Sequence, residues 1–491
     1  MENTSLCFLP AHRLARLLRR REIGVTEVAE AYLARIERRN PAIGAYVRVL
    51  SEEALERAGE LQRELDEDAE LGPLHGVPVA IKDLEDVAGV ATTFGSRGML
   101  GNVPSEDAIL TSRLRRAGAL ILGKTNAPEF GHKGTTDNLV FGPTNSPFGV
   151  DCNAGGSSGG AAAAVADGLV SIAQGGDGGG SIRIPAALCG VYGLKPSWGR
   201  VPHSMRPAGF SYSPMISHGP LARTVKDAAL MTAVISGPHA RDPMSLPDDS
   251  LDWEAATEKG VHGLKVAYTP DLGGFPVEKE VAEVVAAAPA AFVEAGAHVE
   301  RIDLRFGFDH EEICQAWRRS IAVGYAQTMR ALRNEGRDLT ASGEDGLEPE
   351  MLELLDLASR LSAVQFREDD VLRTDVFDRL QDVFAEYDLL VSPTVSVPCV
   401  KTAADGLTMG PASVNGVPVD RTIGWALTCP INFTGHPAAS VPAGTAAGGS
   451  PVGMQIVGRR FADDVVLSAS AAFERLRPWS SRYPGLKETR A

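Results

Sequence analysis

One serine in this chain lies in a glycine-rich loop whose spacing favours acyl-transfer chemistry. Ser181 follows Gly178, Gly179 and Gly180 in the stretch GGDGGGSIRIPAALCGVYGLK. With so little side-chain bulk, the backbone N–H groups of residues 178–181 can point into one cavity, which is the geometry that an oxyanion hole requires. Ser181 is therefore the candidate nucleophile, and Gly178, Gly179, Gly180 and Ser181 are the candidate oxyanion hole.

A serine nucleophile needs a base, and histidine is the usual one. No histidine lies between His132 and His203. A lysine held neutral by burial can serve instead, and Lys82 at the end of the apolar stretch GVPVAIK is the best candidate. His436, in the turn-like TGHPAAS, is the alternative base, although its context favours a structural or pocket-lining role.

A second serine lies upstream of the glycine-rich loop. Ser157, in GGSSGG, precedes an alanine-rich run that the pattern predicts as a helix over 161–167. Ser157 could relay a proton between the lysine and the nucleophile. The alternative is that Ser157 or Ser158 caps this helix, and the two roles could be divided between the two serines.

These stretches together resemble the amidase signature family. The matching motifs are GVPVAIKD, LGKTNAPEF, GGSSGG and GGGSIRIPAALCGVYGLKP, in the family's order, and the 24 positions from Ser157 to Ser181 agree with its pattern. The resemblance is direct from Gly76 to Gly199. It is looser elsewhere, where VSPTV and VPAG followed by PVGMQIVG find counterparts.

The resemblance implies a catalytic triad of Ser181, Ser157 and Lys82, with a cis peptide bond between Gly156 and Ser157. It implies that no metal and no organic cofactor is needed. It also places the loop of Phe130, Gly131 and His132 across the substrate from the nucleophile, so these three residues are the predicted substrate-binding residues. Arg183 is implied to point into the structure, and Asp83 and Asp177 are expected to be structural hydrogen-bonding groups.

Several positions depart from the pattern of the family. Gly176 and Gly178 stand where the family commonly has hydroxyl residues, which predicts a looser loop or room for a bulkier acyl group. Ile184 stands where the branch that transamidates tRNA has glutamine, which argues against that branch.

Three functions of different classes are compatible with these residues. The favoured one is a serine hydrolase that cleaves C–N bonds of small neutral amides, with anilides, carbamates or lactam-like amides as possible substrates. The alternative is an amidotransferase subunit that acts on glutamine and aminoacyl-tRNA within a complex. A catalytically inactive binding scaffold is disfavoured because Lys82, Ser157 and Ser181 are all present.

The predicted substrates are uncharged, partly aromatic or aliphatic amides. Phe130, Phe210, Tyr212 and Trp425 are the predicted pocket wall, and no arginine stands beside the motifs to bind a substrate carboxylate. The expected partners are thus a small amide substrate and water, and the chain is expected to be a monomer or a homodimer.

The composition indicates which binding partners and which cellular compartment are expected. The 491 residues carry 48 Lys and Arg against 63 Asp and Glu, a formal charge of −15, which disfavours nucleic acid and anionic membranes as partners. No apolar run reaches the length of a membrane span, and the N-terminus is unlike a signal peptide. Six cysteines without C-x-x-C spacing argue against a zinc site or a disulfide framework. A cytoplasmic protein with free thiols is expected.

The elements that must position the triad indicate an α/β fold, because helical and apolar strand patterns alternate along the chain. The prediction is one large domain, 1–491, with a mixed, mainly parallel twisted β-sheet core flanked by helices on both faces. Within it we expect an N-terminal helical layer at 1–70, the catalytic core motifs at 74–200, a more variable insertion and helical region at 237–345, and the C-terminal part of the sheet at 388–491. Residues 265–304 read as a βαβ unit.

Overall fold

Eleven strands form the central sheet of the computed structural model, which describes residues 3–67, 69–204, 206, 209–210, 215–340 and 346–489. Two further pairs of short strands, β4 with β5 and β12 with β13, lie outside that sheet. The strands are β1 Tyr46–Val49, β2 Pro78–Lys82, β3 Leu120–Thr125, β4 Asn145–Ser146, β5 Gly149–Asn153, β6 Ile172–Asp177, β7 Tyr192–Lys195, β8 Ser217–Ala222, β9 Lys265–Tyr268, β10 His298–Arg301, β11 Leu389–Pro393, β12 Ser413–Val414, β13 Val417–Pro418, β14 Ala438–Thr445 and β15 Pro451–Gly458.

The helices cover this sheet and connect its strands. They are α1 Asn3–Cys7, α2 Ala11–Arg19, α3 Val25–Ile43, α4 Ser51–Asp66, α5 Ile109–Arg116, α6 Gly159–Ala166, α7 Arg183–Leu188, α8 Val225–Ile235, α9 Trp253–Glu258, α10 Lys279–Ala287, α11 Ala290–Glu294, α12 His310–Asn334, α13 Pro349–Arg360, α14 Ala363–Glu386, α15 Cys429–Thr434 and α16 Asp463–Leu476.

The sheet is mixed, as predicted, but the expectation that it is mainly parallel is wrong. In the order β1-β3-β2-β6-β8-β7-β14-β15-β11-β9-β10, the pairs β2–β3, β2–β6, β9–β10 and β9–β11 are parallel and the other six pairs are antiparallel. Chain connections explain part of the difference. Only residues 446–450 link β14 to β15, and so short a turn can join only antiparallel strands.

Helices pack on both faces of the sheet, as predicted. Successive residues of β11 alternate between two hydrophobic cores. Leu389 and Val391 join the larger core, which also contains residues of α2–α6, α8 and α16, whereas Leu390 joins a second core with residues of α12, α14 and α15. Because side chains of a strand point alternately to its two faces, the two cores lie on opposite sides of the sheet.

The local predictions differ from the structure at a few positions. The sequence predicts a helical layer through residues 46–49, but these residues form the edge strand β1, antiparallel to β3. The sequence pattern predicts one long helical stretch at 348–387, but the structure has two helices there, α13 and α14. The first ends at Arg360, and the Oγ of Ser362 accepts a 3.1 Å hydrogen bond from the backbone N–H of Gln365, which caps the second. The βαβ unit is confirmed, since β9 and β10 are parallel and α10 and α11 connect them.

The cysteine prediction is wrong for one pair. Cys152 on β5 and Cys399 after β11 form a disulfide, with their Cα atoms 5.6 Å apart. The two residues are 247 positions apart in the chain, so no local spacing pattern could indicate the pairing. The other four cysteines, Cys7, Cys189, Cys314 and Cys429, are free and buried.

Membrane-spanning helices are not expected from the sequence. Within the described parts of the chain, no helix combines the length and apolar character needed to cross a bilayer.

Candidate active site

Lys82 is the last residue of β2, in the interior of the molecule. Its Nζ lies 2.7 Å from Ser157 Oγ and 2.9 Å from Ser158 Oγ. Burial lowers the pKa of Lys82 to about 7, and the negative charges of Glu85 and Asp177 only partly oppose this. A large fraction of Lys82 is therefore neutral near pH 7 and able to accept a proton.

Asp83, which follows Lys82 in the chain, has a structural role, as predicted. The Asp83 carboxylate forms a 3.1 Å ion pair with Lys124 and accepts a hydrogen bond from the hydroxyl of Thr93.

The GGSSGG motif lies directly opposite the lysine. The peptide bond between Gly156 and Ser157 is cis, which confirms the prediction. Ser158 precedes α6, but its side chain makes no capping hydrogen bond and contacts Lys82 instead. The hydroxyl of Thr136 takes over the capping role by accepting a 3.1 Å hydrogen bond from the N–H of Gly159. Both serines are thus free of the capping role that the sequence leaves open.

Ser181 lies in the loop between β6 and α7, next to the serine pair. Its carbonyl oxygen accepts a 3.1 Å hydrogen bond from the N–H of Ser158. Unlike Lys82 and Ser157, which are buried, Ser181 is half-buried and so open to an incoming substrate. The structure therefore brings the three predicted triad residues into one region.

The loop before Ser181 passes so close to its neighbours that two of its positions require glycine. A Cβ on Gly180 would lie 2.0 Å from Thr428 Oγ1, and its φ of +132° is one that other residues rarely adopt. A Cβ on Gly179 would lie 2.7 Å from the indole of Trp317. The run of glycines is thus explained by close packing against α12 and the residue before α15.

Side chains from distant elements hold the carbonyl groups of this loop. The indole N–H of Trp317 donates to the carbonyl of Gly178 at 2.9 Å, and Thr428 Oγ1 donates to that of Gly179 at 2.6 Å. Among the described residues, the N–H groups of residues 178–181 have no acceptor. Anchored carbonyls and free N–H groups are the arrangement in which a backbone loop can bind a developing oxyanion.

A buried ion pair fixes the start of the same loop. Asp177 accepts hydrogen bonds from the Arg183 guanidinium at 2.8 and 2.9 Å and from the Asn432 amide at 2.9 Å. Burial raises the pKa of Asp177, but the charge of Arg183 outweighs it and lowers the pKa to about 2. Asp177 and Arg183 are therefore structural groups, as predicted.

The predicted substrate-side loop lies partly against the serines. A Cβ on Gly131 would be 3.2 Å from Ser157 Oγ, so the backbone of this glycine passes close to Ser157 and leaves no room for a side chain. Phe130 is half-buried, stacks on Phe94 with ring centroids 5.4 Å apart, and accepts a hydrogen bond at its carbonyl from the Tyr325 hydroxyl.

His132, the third predicted residue of this loop, has different contacts. Its ring is fully buried, with Nδ1 2.7 Å from the carbonyl of Glu129 and Nε2 3.9 Å from Glu348. Its ring nitrogens thus face a carbonyl and a carboxylate, and a role in substrate binding stays a prediction.

The other predicted pocket residues are scattered. Phe210 is 78% exposed, and Tyr212 lies outside the described residues. Trp425 is fully buried, with its indole N–H donating to the carbonyl of Arg421. His436, the alternative base, contacts Gln381 and Thr434 through its two ring nitrogens.

Sequence reasoning missed three residues of the site. Ser158 is a second partner of Lys82, and the doubled serine of GGSSGG is a signal that could have pointed to it. Trp317 and Thr428 anchor the predicted oxyanion loop, residues 178–181, and lie 139 and 249 positions away in the chain from the carbonyl groups that they bind. No local pattern marks either of them.

Comparisons with known proteins agree with this geometry. The family model named Amidase matches residues 27–467. The chain belongs to the amidase signature family. It is 39% identical to an acylamidase of Rhodococcus erythropolis over 485 residues, which cover 99% of this chain and 98% of that protein.

Two further proteins match along nearly the whole chain. The solved structure of a bacterial aryl acylamidase superposes with a TM-score of 0.94 at 43% identity, covering 97% of this chain and 98% of that one. A glutamyl-tRNA(Gln) amidotransferase subunit of Moorella thermoacetica is 36% identical over 501 residues, covering 98% of this chain and 99% of that protein.

Proposed function

We propose that this protein is a serine hydrolase that cleaves the C–N bonds of small neutral amides through an acyl-enzyme on Ser181. The observation that carries the proposal is the buried amine of Lys82, 2.7 Å from Ser157 Oγ, with a pKa lowered to about 7. Similarity to an acylamidase and to an aryl acylamidase along nearly the whole chain supports the same reaction.

In the first half of the reaction, neutral Lys82 accepts the proton of Ser157, and Ser157 accepts that of Ser181. Ser181 Oγ forms a bond to the amide carbonyl carbon, and the negative charge on the carbonyl oxygen is bound by the free N–H groups of residues 178–181. The relay then gives the proton to the leaving nitrogen as the C–N bond breaks. An amine departs and an ester of Ser181 remains.

In the second half, water attacks that ester. The relay takes a proton from the water, the second tetrahedral intermediate collapses, and the proton returns to Ser181 as the acid leaves. Every proton is carried by Lys82, Ser157 and Ser181. The reaction as proposed needs no metal and no organic cofactor.

Replacement of the nucleophile tests the proposal. We expect Ser181→Ala to lower kcat/KM for an anilide by at least about 10³-fold, because the covalent route is lost. The folded structure should persist, since the site is already lined by small residues. Intact-mass measurement after treatment with a fluorophosphonate should show one adduct on the unaltered protein and none on the variant. An adduct that survives in Ser181→Ala would refute the assignment.

The residues around the predicted substrate-side loop and around the predicted oxyanion loop support an uncharged, partly aromatic substrate. The stacked rings of Phe94 and Phe130 and the ring of Tyr325 pack against a hydrophobic cluster, and Trp317 lies on the oxyanion loop. Arg183 is bound to Asp177 and is not available to a substrate carboxylate. We therefore propose anilides and apolar amides as the preferred class, with carbamates and esters accepted to some degree.

A matched substrate series tests this class. We expect kcat/KM to be highest for an anilide, lower for the alkyl amide of the same acid because an alkylamine is a poorer leaving group, and lowest for an analogue that carries a free carboxylate. Preference for the anionic analogue by tenfold or more, about 1.4 kcal/mol of transition-state binding, would contradict the proposed substrate class.

The amidotransferase alternative is less well supported, even though several relatives belong to that class. Ile184 is buried beside the oxyanion loop, at the position where a glutamine is the feature expected of the transamidating branch. We propose that the chain acts without such a complex, as a monomer or a homodimer. Light scattering on the purified protein would determine which.

We propose the cytoplasm as its compartment, supported by four cysteines that are buried and free. Cytoplasmic reductants would then act on the pair Cys152 and Cys399. Trapping thiols by alkylation in cells that make the protein tests this placement. Finding the pair fully oxidised there would indicate an oxidising compartment instead.

A further inference from the structure

A buried cluster of one histidine and several carboxyl groups lies where the loop after β3 meets the start of α13. One donor atom from each of His132, Glu348 and Glu350 lies within 4.8 Å of the other two. His132 and Glu348 are almost fully buried, whereas Glu350 is half-buried. The proposed reaction uses none of these three groups.

Several atoms of this cluster lack the hydrogen bonds that buried polar atoms normally make. His132 Nε2, Glu348 Oε1 and Glu350 Oε2 are buried and have no hydrogen-bond partner among the described residues. The other ring nitrogen of His132 lies 2.7 Å from the carbonyl of Glu129, which fixes the orientation of the ring. Because unpaired buried polar groups cost free energy, three of them on residues whose donor atoms lie so close together point to a ligand.

The charge of the cluster indicates the sign of that ligand. Glu129 accepts a 2.8 Å hydrogen bond from the N–H of Glu348, and Lys133 lies 3.2 Å from Glu348 Oε2 and 3.0 Å from Asp137 Oδ1. Four carboxyl groups, counting Glu350, thus surround one lysine. A bound cation would offset this excess of buried negative charge.

We propose that His132, Glu348 and Glu350 together bind one divalent transition-metal cation of the Zn²⁺ or Mn²⁺ type. Such ions accept one imidazole nitrogen and two carboxylate oxygens, and a water could complete the coordination on the half-buried side of Glu350. Bonds of about 2.1 Å would bring tetrahedral donors to about 3.4 Å from one another, so each donor needs to move by less than about 1 Å.

The proposed cation has a structural consequence for the active site. His132 follows Gly131, which lies close to Ser157. Glu348 is the residue before α13, and Glu350 is in its first turn. The ion would therefore tie the substrate-side loop to α13. Its role is to hold the loop in position, while the chemistry stays with Ser181, Ser157 and Lys82.

A second group of potential metal ligands, Glu85, His203 and His218, serves as a comparison for the proposed site. His218 Nδ1 there already lies 3.2 Å from the Gln174 amide and 3.4 Å from Glu85. Among the described residues, His218 Nε2 is the one buried atom of this group that lacks a hydrogen-bond partner, against three such atoms in the first group, so we do not assign the cation to it.

Equilibrium dialysis of the chelator-treated full chain against Zn²⁺, with metal measured by mass spectrometry, tests the proposal. We expect one equivalent bound at micromolar Zn²⁺ and a higher melting temperature with the ion present. Glu350→Gln should weaken binding at least tenfold and remove most of the melting shift. Glu353→Gln, an exposed residue of the same helix, and His203→Gln should bind like the unaltered chain.

Two further measurements keep the test decisive. Glu348→Gln should weaken binding as Glu350→Gln does, and circular dichroism will show that each variant is folded. Anomalous diffraction at the zinc edge, on crystals of the unaltered protein, should give a peak between His132 and Glu350. Absence of saturable binding, equal affinity in Glu350→Gln and Glu353→Gln, or loss of binding only in His203→Gln would overturn the proposal. Mn²⁺ binding in place of Zn²⁺, with the same variant pattern, would support it.

Discussion

The amine of Lys82 contacts two hydroxyl groups, and only one of them belongs to the proposed relay. Ser157 and Ser158 lie at 2.7 and 2.9 Å from Nζ, and burial lowers the pKa of the lysine to about 7. In this buried position the amine of Lys82 makes two hydrogen bonds but carries less positive charge than it would in water. The environment of this one residue therefore sets the pH at which the relay can begin.

The pH dependence of the reaction should follow the pKa of Lys82. The base acts only when it is unprotonated, so kcat/KM should fall about tenfold for each pH unit below about 7 and level off above it. Lys82→Ala should remove this acidic limb and lower kcat/KM by about 10²–10⁴-fold. A pH series on both proteins with an anilide is the measurement.

Ser158→Ala is the matched control for that experiment. It removes one hydrogen bond to the amine but leaves the contact with Ser157, so the acidic limb should remain and the loss should be roughly threefold to tenfold. An unchanged limb in Lys82→Ala would assign the titration to a different group.

The oxyanion loop between β6 and α7 depends on elements that come much later in the chain. Trp317 of α12 and Thr428, just before α15, each donate a hydrogen bond to one of its carbonyl groups. The ion pair of Asp177 and Arg183 fixes both ends of the loop. The position of the free N–H groups is thus set by the packing of helices on the sheet.

Thr428→Val tests this dependence. The substitution keeps the shape of the side chain but leaves the Gly179 carbonyl without its 2.6 Å hydrogen bond. Because an unsatisfied buried group costs about 1–3 kcal/mol, we expect kcat to fall roughly fivefold to hundredfold with little change in KM. Thr428→Ser, which retains the hydroxyl, should stay within about threefold of the unaltered protein. Equal losses in the two variants would mean that the hydrogen bond does not position the loop.

A single covalent cross-link joins two distant parts of the whole molecule. The disulfide between Cys152 and Cys399 connects the segment just before the GGSSGG motif to the loop after β11. Because it closes a loop of more than two hundred residues, it restricts the unfolded chain strongly.

Reduction of this disulfide should lower the free energy of unfolding by roughly 2–5 kcal/mol. Urea unfolding with and without a phosphine reductant measures the effect, and thiol titration in denaturant should count four free cysteines before reduction and all six after it. Cys399→Ser should show the lower stability at once and no further response to the reductant. A count of six thiols without reductant would show that the bond does not form.

The sequence by itself determined the parts of this protein that local chemistry encodes. The glycines before Ser181, the apolar strand that ends in Lys82 and the paired serines of GGSSGG are each readable within a few residues. The order of these motifs indicated the family, and through that resemblance the triad, whereas the alternation of helical and strand patterns indicated the α/β class. Strands such as β9 and β11 were predictable for the same reason, since β-branched and apolar runs favour a buried strand wherever they occur.

Only the tertiary structure decided which distant residues complete the site. Trp317 and Thr428 reach the loop, Cys152 meets Cys399, and His132 meets Glu348, all across more than a hundred positions of the chain. Six of the ten strand pairs are antiparallel, and their direction depends on which strands become neighbours in the sheet, which residues of one strand do not encode. These contacts form because the chain buries two hydrophobic cores on opposite faces of the sheet. Such burial produces no periodic sequence pattern near any of the residues involved.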